Sequence, residues 1–168
     1  LGTVQHYFNI PYYVLVHLAK WDDILQMTDP GAGLRYPQAI WHYARGEAQL
    51  AKGNFKEAEK ELILLKEIGK DESLKNLLIW ETNSSADLVN IAVLMLEGEL
   101  MAFNKNYDAS LVLLKKAVEI EDKLTYQEPP DWFFSTRHTL GYILIKAGKH
   151  QEAETIYKQD LDILPENG

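Results

Sequence analysis

Residues 39–68 constrain this chain more than any other stretch. AIWHYARGEAQLAKGNFKEAEKELILLKEI carries apolar residues at helical spacing on both sides of Gly53-Asn54, the pattern of two amphipathic helices joined by a tight turn. Gly46 and Ala48 in the first half and Ala58 in the second allow the two backbones to approach without Cβ collision. Phe55, Leu62 and Leu65 fill the seam. Gly53 closes the first helix in a conformation that β-branched residues resist, and Asn54 is placed to cap the second by accepting a backbone N–H.

The pattern returns along the chain. Leu140-Gly141, Leu144, Gly148, Ala153, Tyr157 and Pro165 repeat it closely, and Leu94, Gly98, Met101, Tyr107, Ser110, Leu114 and Ala117 repeat it more loosely. Tyr12, Leu15, Trp21 and Ile24 form a further copy at the N-terminal end. Read as L-G, an apolar or aromatic residue, A-x-x-x-F and then P, these positions resemble the tetratricopeptide repeat, and Ile24 to Ala58 matches its period of about 34 residues. The intervals from Ala58 to Ser110 and from Ser110 to Ala153 are longer, so insertions are expected there.

The chain also resembles a bacterial group of tetratricopeptide proteins in three phrases: Lys20-Trp21-Asp22-Asp23-Ile24-Leu25, AIWHYARG from Ala39 to Gly46, and Glu128-Pro129-Pro130-Asp131-Trp132. The resemblance implies an all-α, right-handed solenoid of about four helical hairpins, a single domain over residues 1–168. It implies a scaffold rather than an enzyme. Members of the group carry further hairpins upstream and this chain begins at Leu1, so it is expected to be the C-terminal part of a longer protein.

At 168 residues and 46% apolar, the chain has enough hydrophobic residues for one continuous core. Its net charge of −8 repels phosphate backbones and disfavours nucleic-acid binding. The absence of cysteine excludes disulfides and thiolate chemistry. No apolar run reaches membrane-spanning length. The compartment stays open, with the cytoplasm favoured over the periplasm.

Taken in order, the first helix is expected to start near Pro11 with Asn9 at its cap, because proline breaks helix interiors. A second helix should run from Trp21 to Met27, followed by a loop at residues 29–33. After Gly69, a short helix should begin at Asp71-Glu72-Ser73 and reach Trp80. Residues 82–85 read as a polar break. Helices from Asp87 to Asn104 and from Tyr107 to Lys123 follow, then a linker over residues 124–130. Asp131 should cap a helix from Trp132 to Ala147, and Gln151 to Leu164 should close the array.

Stacked repeats line one concave wall with their first helices. Aligning the four copies places Tyr13, His17, Tyr43, Glu47, Met95, Glu99, His138, Tyr142 and Lys146 on that wall as the candidate partner-binding residues. Tyrosines interleaved with Glu and His suit peptide recognition; packing between helices is the alternative role for the same tyrosines. Tetratricopeptide domains that grip acidic peptide tails carry a Lys, Arg and Asn clamp, which Tyr13, Glu47, Glu99 and Tyr142 replace here. A basic or aromatic peptide is therefore expected, not an acidic one.

Other chemistry is weaker. The five histidines lack the short spacing of a zinc site: His6 and His17 would stand about 16 Å apart along a helix. His42 and His150 fall on other faces. No cofactor and no metal is expected. Arg45 and Glu97 precede the small glycines of adjacent hairpins and are expected to face one another as an ion pair. Glu128 and Asp131 could pair as acid and base, but capping explains Asp131 sufficiently. The charge run Lys52 to Lys70, with Lys56 near Glu59 and Glu57 near Lys60, reads as a solvated face. Two other roles remain: the non-catalytic C-terminal part of an enzyme or regulator with its chemistry upstream, and self-association through the end after Leu164.

Overall fold

Pro11 lies inside a helix rather than at its start. In the computed structural model, which describes residues 1–163, α1 runs from Gly2 to His17 straight through Pro11. The proline is exposed, so the backbone group it leaves unpaired faces water, while Asn9, expected as the cap, is fully buried. Burial of Tyr12 and Tyr13 holds the helix across a residue that local preference would place at its first turn.

The chain continues with α2 (Trp21–Gln26), α3 (Arg35–Ala51) and α4 (Phe55–Ile68). Gly53 takes a φ of 77°, and the amides of Gly53 and Asn54 reach back to the carbonyls of Leu50 and Gln49, which closes α3 as expected. Asn54 precedes α4, but its side chain does not cap it; its amide donates to Gln49 Oε1 at 2.9 Å.

Beyond Gly69 the helix expected to reach Trp80 stops early. A single turn, α5 (Ser73–Asn76), gives way to an antiparallel ribbon of β1 (Leu78–Ile79) and β2 (Asn83–Ser84), with Leu78 opposite Ser84 and Ile79 opposite Asn83. Trp80 and Glu81 both have positive φ, as the central residues of a type I′ turn require. The ribbon turns Ile79 into the core, where a continued helix would carry it elsewhere.

Next come α6 (Ser85–Phe103), capped by the Ser84 hydroxyl accepting from Asp87 N, and α7 (Tyr107–Glu121), capped by Asn106. Then α8 (Thr136–Lys146) and α9 (His150–Ile163) complete the described chain. The cap of α8 is Ser135, accepting from Arg137 N, so the expected start at Trp132 under an Asp131 cap is corrected. The sequence expectations at Leu164 and Pro165 lie outside the described residues.

Helix accounts for 71% of the described residues, and the two short strands are the only sheet among them; the chain is all-α. Sequential helices pack in pairs, α3 with α4, α6 with α7 and α8 with α9. The first member of each pair also touches the next, α1 on α3, α3 on α6 and α6 on α8. No helix among the described residues is long and apolar enough to cross a membrane.

Two expectations about polar residues are overturned. Arg45 does not meet Glu97: its Nε donates to Glu61 Oε1 at 2.8 Å, and its Nη1 donates to Leu25 O at 3.2 Å, with the guanidinium over the Trp41 ring. Glu97 pairs instead with Lys66 at 2.6 Å. The charge run is not wholly solvated either, because Glu61 within it is buried and accepts from His42 Nδ1 at 2.7 Å. Glu57 and Lys60 do pair on the outer face, at 2.6 Å.

The small residues act where helices approach most closely. A Cβ on Gly46 would lie 2.3 Å from Leu96 Cδ2, so this glycine admits α6 rather than serving the α3–α4 seam. A Cβ on Gly98 would lie 2.8 and 2.9 Å from Cδ2 and Cγ of Leu114, a fully buried residue of α7. Gly98→Ala should therefore destabilise the fold by about 1 to 2 kcal/mol, overpacking of about 1 to 3 kcal/mol being partly offset by alanine's better helix propensity. Urea unfolding checks this, with Leu114→Ala expected to cost less in the Gly98→Ala background than alone.

Candidate functional site

The residues expected on an open wall are largely covered by the chain itself. The segment between α7 and α8 is pinned at Asp131, which is buried and accepts from Asn83 Nδ2 at 2.7 Å and Trp80 Nε1 at 3.1 Å. Asn83 also donates to Thr125 O and accepts from Thr125 N, both at 2.8 Å, so the β1–β2 ribbon holds both ends of the segment. His6 approaches Asp131 to 3.8 Å and is hydrogen-bonded through Nδ1 to the Tyr36 hydroxyl at 2.8 Å. Burial lowers the His6 imidazole below its ordinary value, against the pull of the Asp131 charge. Asp131 is thus a buried anchor and neither a cap nor half of an acid–base couple with Glu128, whose partner is the Tyr126 hydroxyl.

Beyond that anchor the Trp132 ring, 1% exposed, wedges between Tyr13 and Tyr43 at centroid distances of 5.5 and 5.4 Å. Phe133 lies parallel to Tyr13 at 5.7 Å, and Phe134 contacts both Trp132 and His17. Tyr13 and Tyr43 are left 0% and 1% exposed, and Met95 is likewise in the core. These three are corrected from contact residues to packing residues. Burial raises the hydroxyls of both tyrosines well above their ordinary value. His17 is exposed, and His138 faces Asp160, with Nε2 2.9 Å from its carboxyl; neither borders the open cleft described next.

What stays open is a cleft of about 420 Å³ at the C-terminal ends of α3, α6 and α8. It brings together Glu47, Glu99, Tyr142 and Lys146 from the sequence-predicted set, with Trp21, Phe103, Lys105 and Tyr107. Tyr142 is 52% exposed, and Lys146 Nζ sits 5.2 Å from its ring centroid. Glu47 is 7% exposed, and its Oε1 has no hydrogen-bond partner among the described residues. Burial raises the Glu47 carboxyl well above its ordinary value, and the Glu99 charge raises it further. Burial pushes the Glu99 carboxyl up to about 7. The pair therefore holds protons near neutrality that ordinary glutamates would have lost.

A second cavity, about 410 Å³, lies on the other side of the Asp131 segment, bordered by Asn83, Glu121, Trp132, Ser135 and Arg137. Arg137 there donates to Asp122 at 2.7 Å. Among the described residues no group of three or more His, Asp or Glu side chains could hold a metal ion. The sequence reading missed the Trp132–Phe134 run as a filler of the wall. The signal was present: three successive large aromatics suit the exposed start of a helix poorly.

No family model matches the chain, and no curated protein and no solved structure does either.

Burial of the Glu99 carboxyl ties the stability of the fold to pH. A carboxyl raised above its unfolded value of about 4.3 favours the fold fully below that pH and loses the contribution as pH rises through about 7. Glu99→Gln should remove this loss. Between pH 5 and 8 the wild-type chain should lose on the order of 2 to 3 kcal/mol more than the variant, read by urea unfolding across the range. Parallel curves would show that Glu99 is not the group responsible.

Proposed function

We propose that the chain is a tetratricopeptide-like helical-repeat scaffold that binds a protein or peptide segment and performs no reaction of its own. The order of helix contacts supports the reading, because pairs stack in sequence and their first helices touch in succession. The placement of Gly46, Gly98 and Gly141 at close approaches supports it as well. The observation that carries it is the cleft, where an exposed tyrosine borders two poorly compensated carboxyls at the ends of three first helices. Helix C-termini carry negative potential, and the two carboxyls add to it once a cation draws off their protons, so a basic or aromatic segment fits better than an acidic one. Because Trp132 occupies the centre of the wall, contact is confined to this end.

Selection from a random peptide display library tests the reading. Peptides should be recovered that bind the chain and lose about tenfold or more in affinity to a Tyr142→Ala variant of unchanged thermal midpoint. Recovery of no peptide, or equal binding by both forms, would remove the proposal. Tyr43→Ala would be a poor probe, since emptying that buried site should cost about 3 to 5 kcal/mol of stability.

A second reading, self-association, is favoured by apolar exposure at both ends of the helix order. Val4, Tyr7 and Phe8 are exposed on α1 and Leu18 just after it, as are Ile145, Leu161 and Ile163 on α8 and α9. Sedimentation velocity should then show concentration-dependent association that Phe8→Glu abolishes.

A further inference from the structure

Glu47 and Glu99 enter the cleft from α3 and α6, near helix C-termini whose dipoles add negative potential. Glu47 is more than nine-tenths buried, with one oxygen lacking any hydrogen-bond partner among the described residues. A buried carboxyl in that condition costs stability unless a donor reaches it. The walls around the pair are flat and aromatic, from Trp21, Phe103, Tyr107 and Tyr142. Lys146 lies against the Tyr142 ring.

Resting on the scaffold reading, we propose that the cleft seats one guanidinium group, the side chain of an arginine on the bound peptide, between the carboxyls of Glu47 and Glu99. A planar guanidinium donates five N–H groups in a fixed fork, stacks on aromatic faces and is less strongly hydrated than an ammonium. Each property matches a feature of the cleft: carboxyl acceptors, aromatic walls and partial exclusion of water. A lysine ammonium offers the charge without the stacking. A neutral side chain without a donor leaves the bare Glu47 oxygen unpaired, and an acidic one sets a further carboxyl against a pair that already resists ionising.

Seating the cation ionises the pair, so binding releases protons and tightens as pH rises through about 7, where Glu99 titrates in the unbound chain. The other titratable groups lining the cleft are Lys105 and Tyr107 from the α6–α7 turn and Tyr142 and Lys146 from α8, and the charges of Glu47 and Glu99 act on the buried Tyr43 hydroxyl of α3.

The test is an NMR titration of the whole chain, labelled at its glutamate side chains, with acetyl-Gly-Arg-Gly-amide and with the same tripeptide carrying citrulline. The arginine peptide should move the Glu47 and Glu99 carboxyl signals, bind several-fold tighter at pH 8 than at pH 6, and lose about tenfold in affinity to Glu47→Gln. The citrulline peptide should do none of this. Glu47→Gln is nearly isosteric with the protonated acid, so its fold should persist, and its thermal midpoint verifies that. Equal shifts with both peptides, or shifts confined to another face, would overturn the proposal. Methylguanidinium binding as tightly as the tripeptide would overturn the peptide source. Display-selected peptides that depend on Tyr142 yet lack arginine and ignore Glu47→Gln would overturn the guanidinium while leaving the scaffold standing; recovery of no peptide would remove both.

Discussion

The wedge of Trp132 between Tyr13 and Tyr43 is the contact on which the rest of the arrangement depends. It joins α1, α3 and the segment before α8 into one interior, although these parts are far apart in sequence. A buried aromatic of this size removes about 150 to 250 Å² from water, and Phe133 and Phe134 extend the same cluster. The wedge is aimed by Asp131, which spends its buried carboxyl on Asn83 and Trp80 rather than on a helix end. Pro129 and Pro130 keep the preceding residues out of helical geometry, which leaves the aromatic run available to turn inward.

The hairpins were readable because their information is local. Gly53 in the left-handed region, the end of α3, the limits of α4 and the pairing of α8 with α9 follow from turn residues and helical spacing within thirty or so positions of one another. What was misplaced depended on partners distant in sequence. Pro11 argued for a helix start, yet burial of Tyr12 and Tyr13 outweighs that preference. Asp131 was a sound cap by residue type, but Asn83, far upstream, draws it into the interior. Arg45 found Glu61 across its own hairpin rather than Glu97 in the next.

The candidate wall shows the same division. Alignment of the repeats identified Glu47, Glu99, Tyr142 and Lys146, and the fold brings these four to one cleft. It identified Tyr13, Tyr43 and Met95 by the same rule, and they are interior. Repeat periodicity specifies which face a residue occupies. It carries no information on whether an insertion elsewhere in the chain will fold back over that face, and here residues 132–134 do.

Two acidic sites near α3 separate structural from functional burial. Burial alone would raise the Glu61 carboxyl, but hydrogen bonds and charge from His42 and Arg45 reverse the effect and hold it below its ordinary value. Among the described residues Glu47 Oε1 meets no such partner, and the charge that acts on its carboxyl, that of Glu99, has the same sign. The chain can therefore compensate a buried glutamate, and does so one hairpin seam away from where it leaves another uncompensated. A packed core gains nothing from the second arrangement, since a neutral side chain of the same size would avoid the desolvation altogether. Local inconsistency of this kind concentrates where a surface answers to something outside the fold. On that ground the cleft at Glu47, rather than the polar cluster around Glu61, is where recognition is best sought.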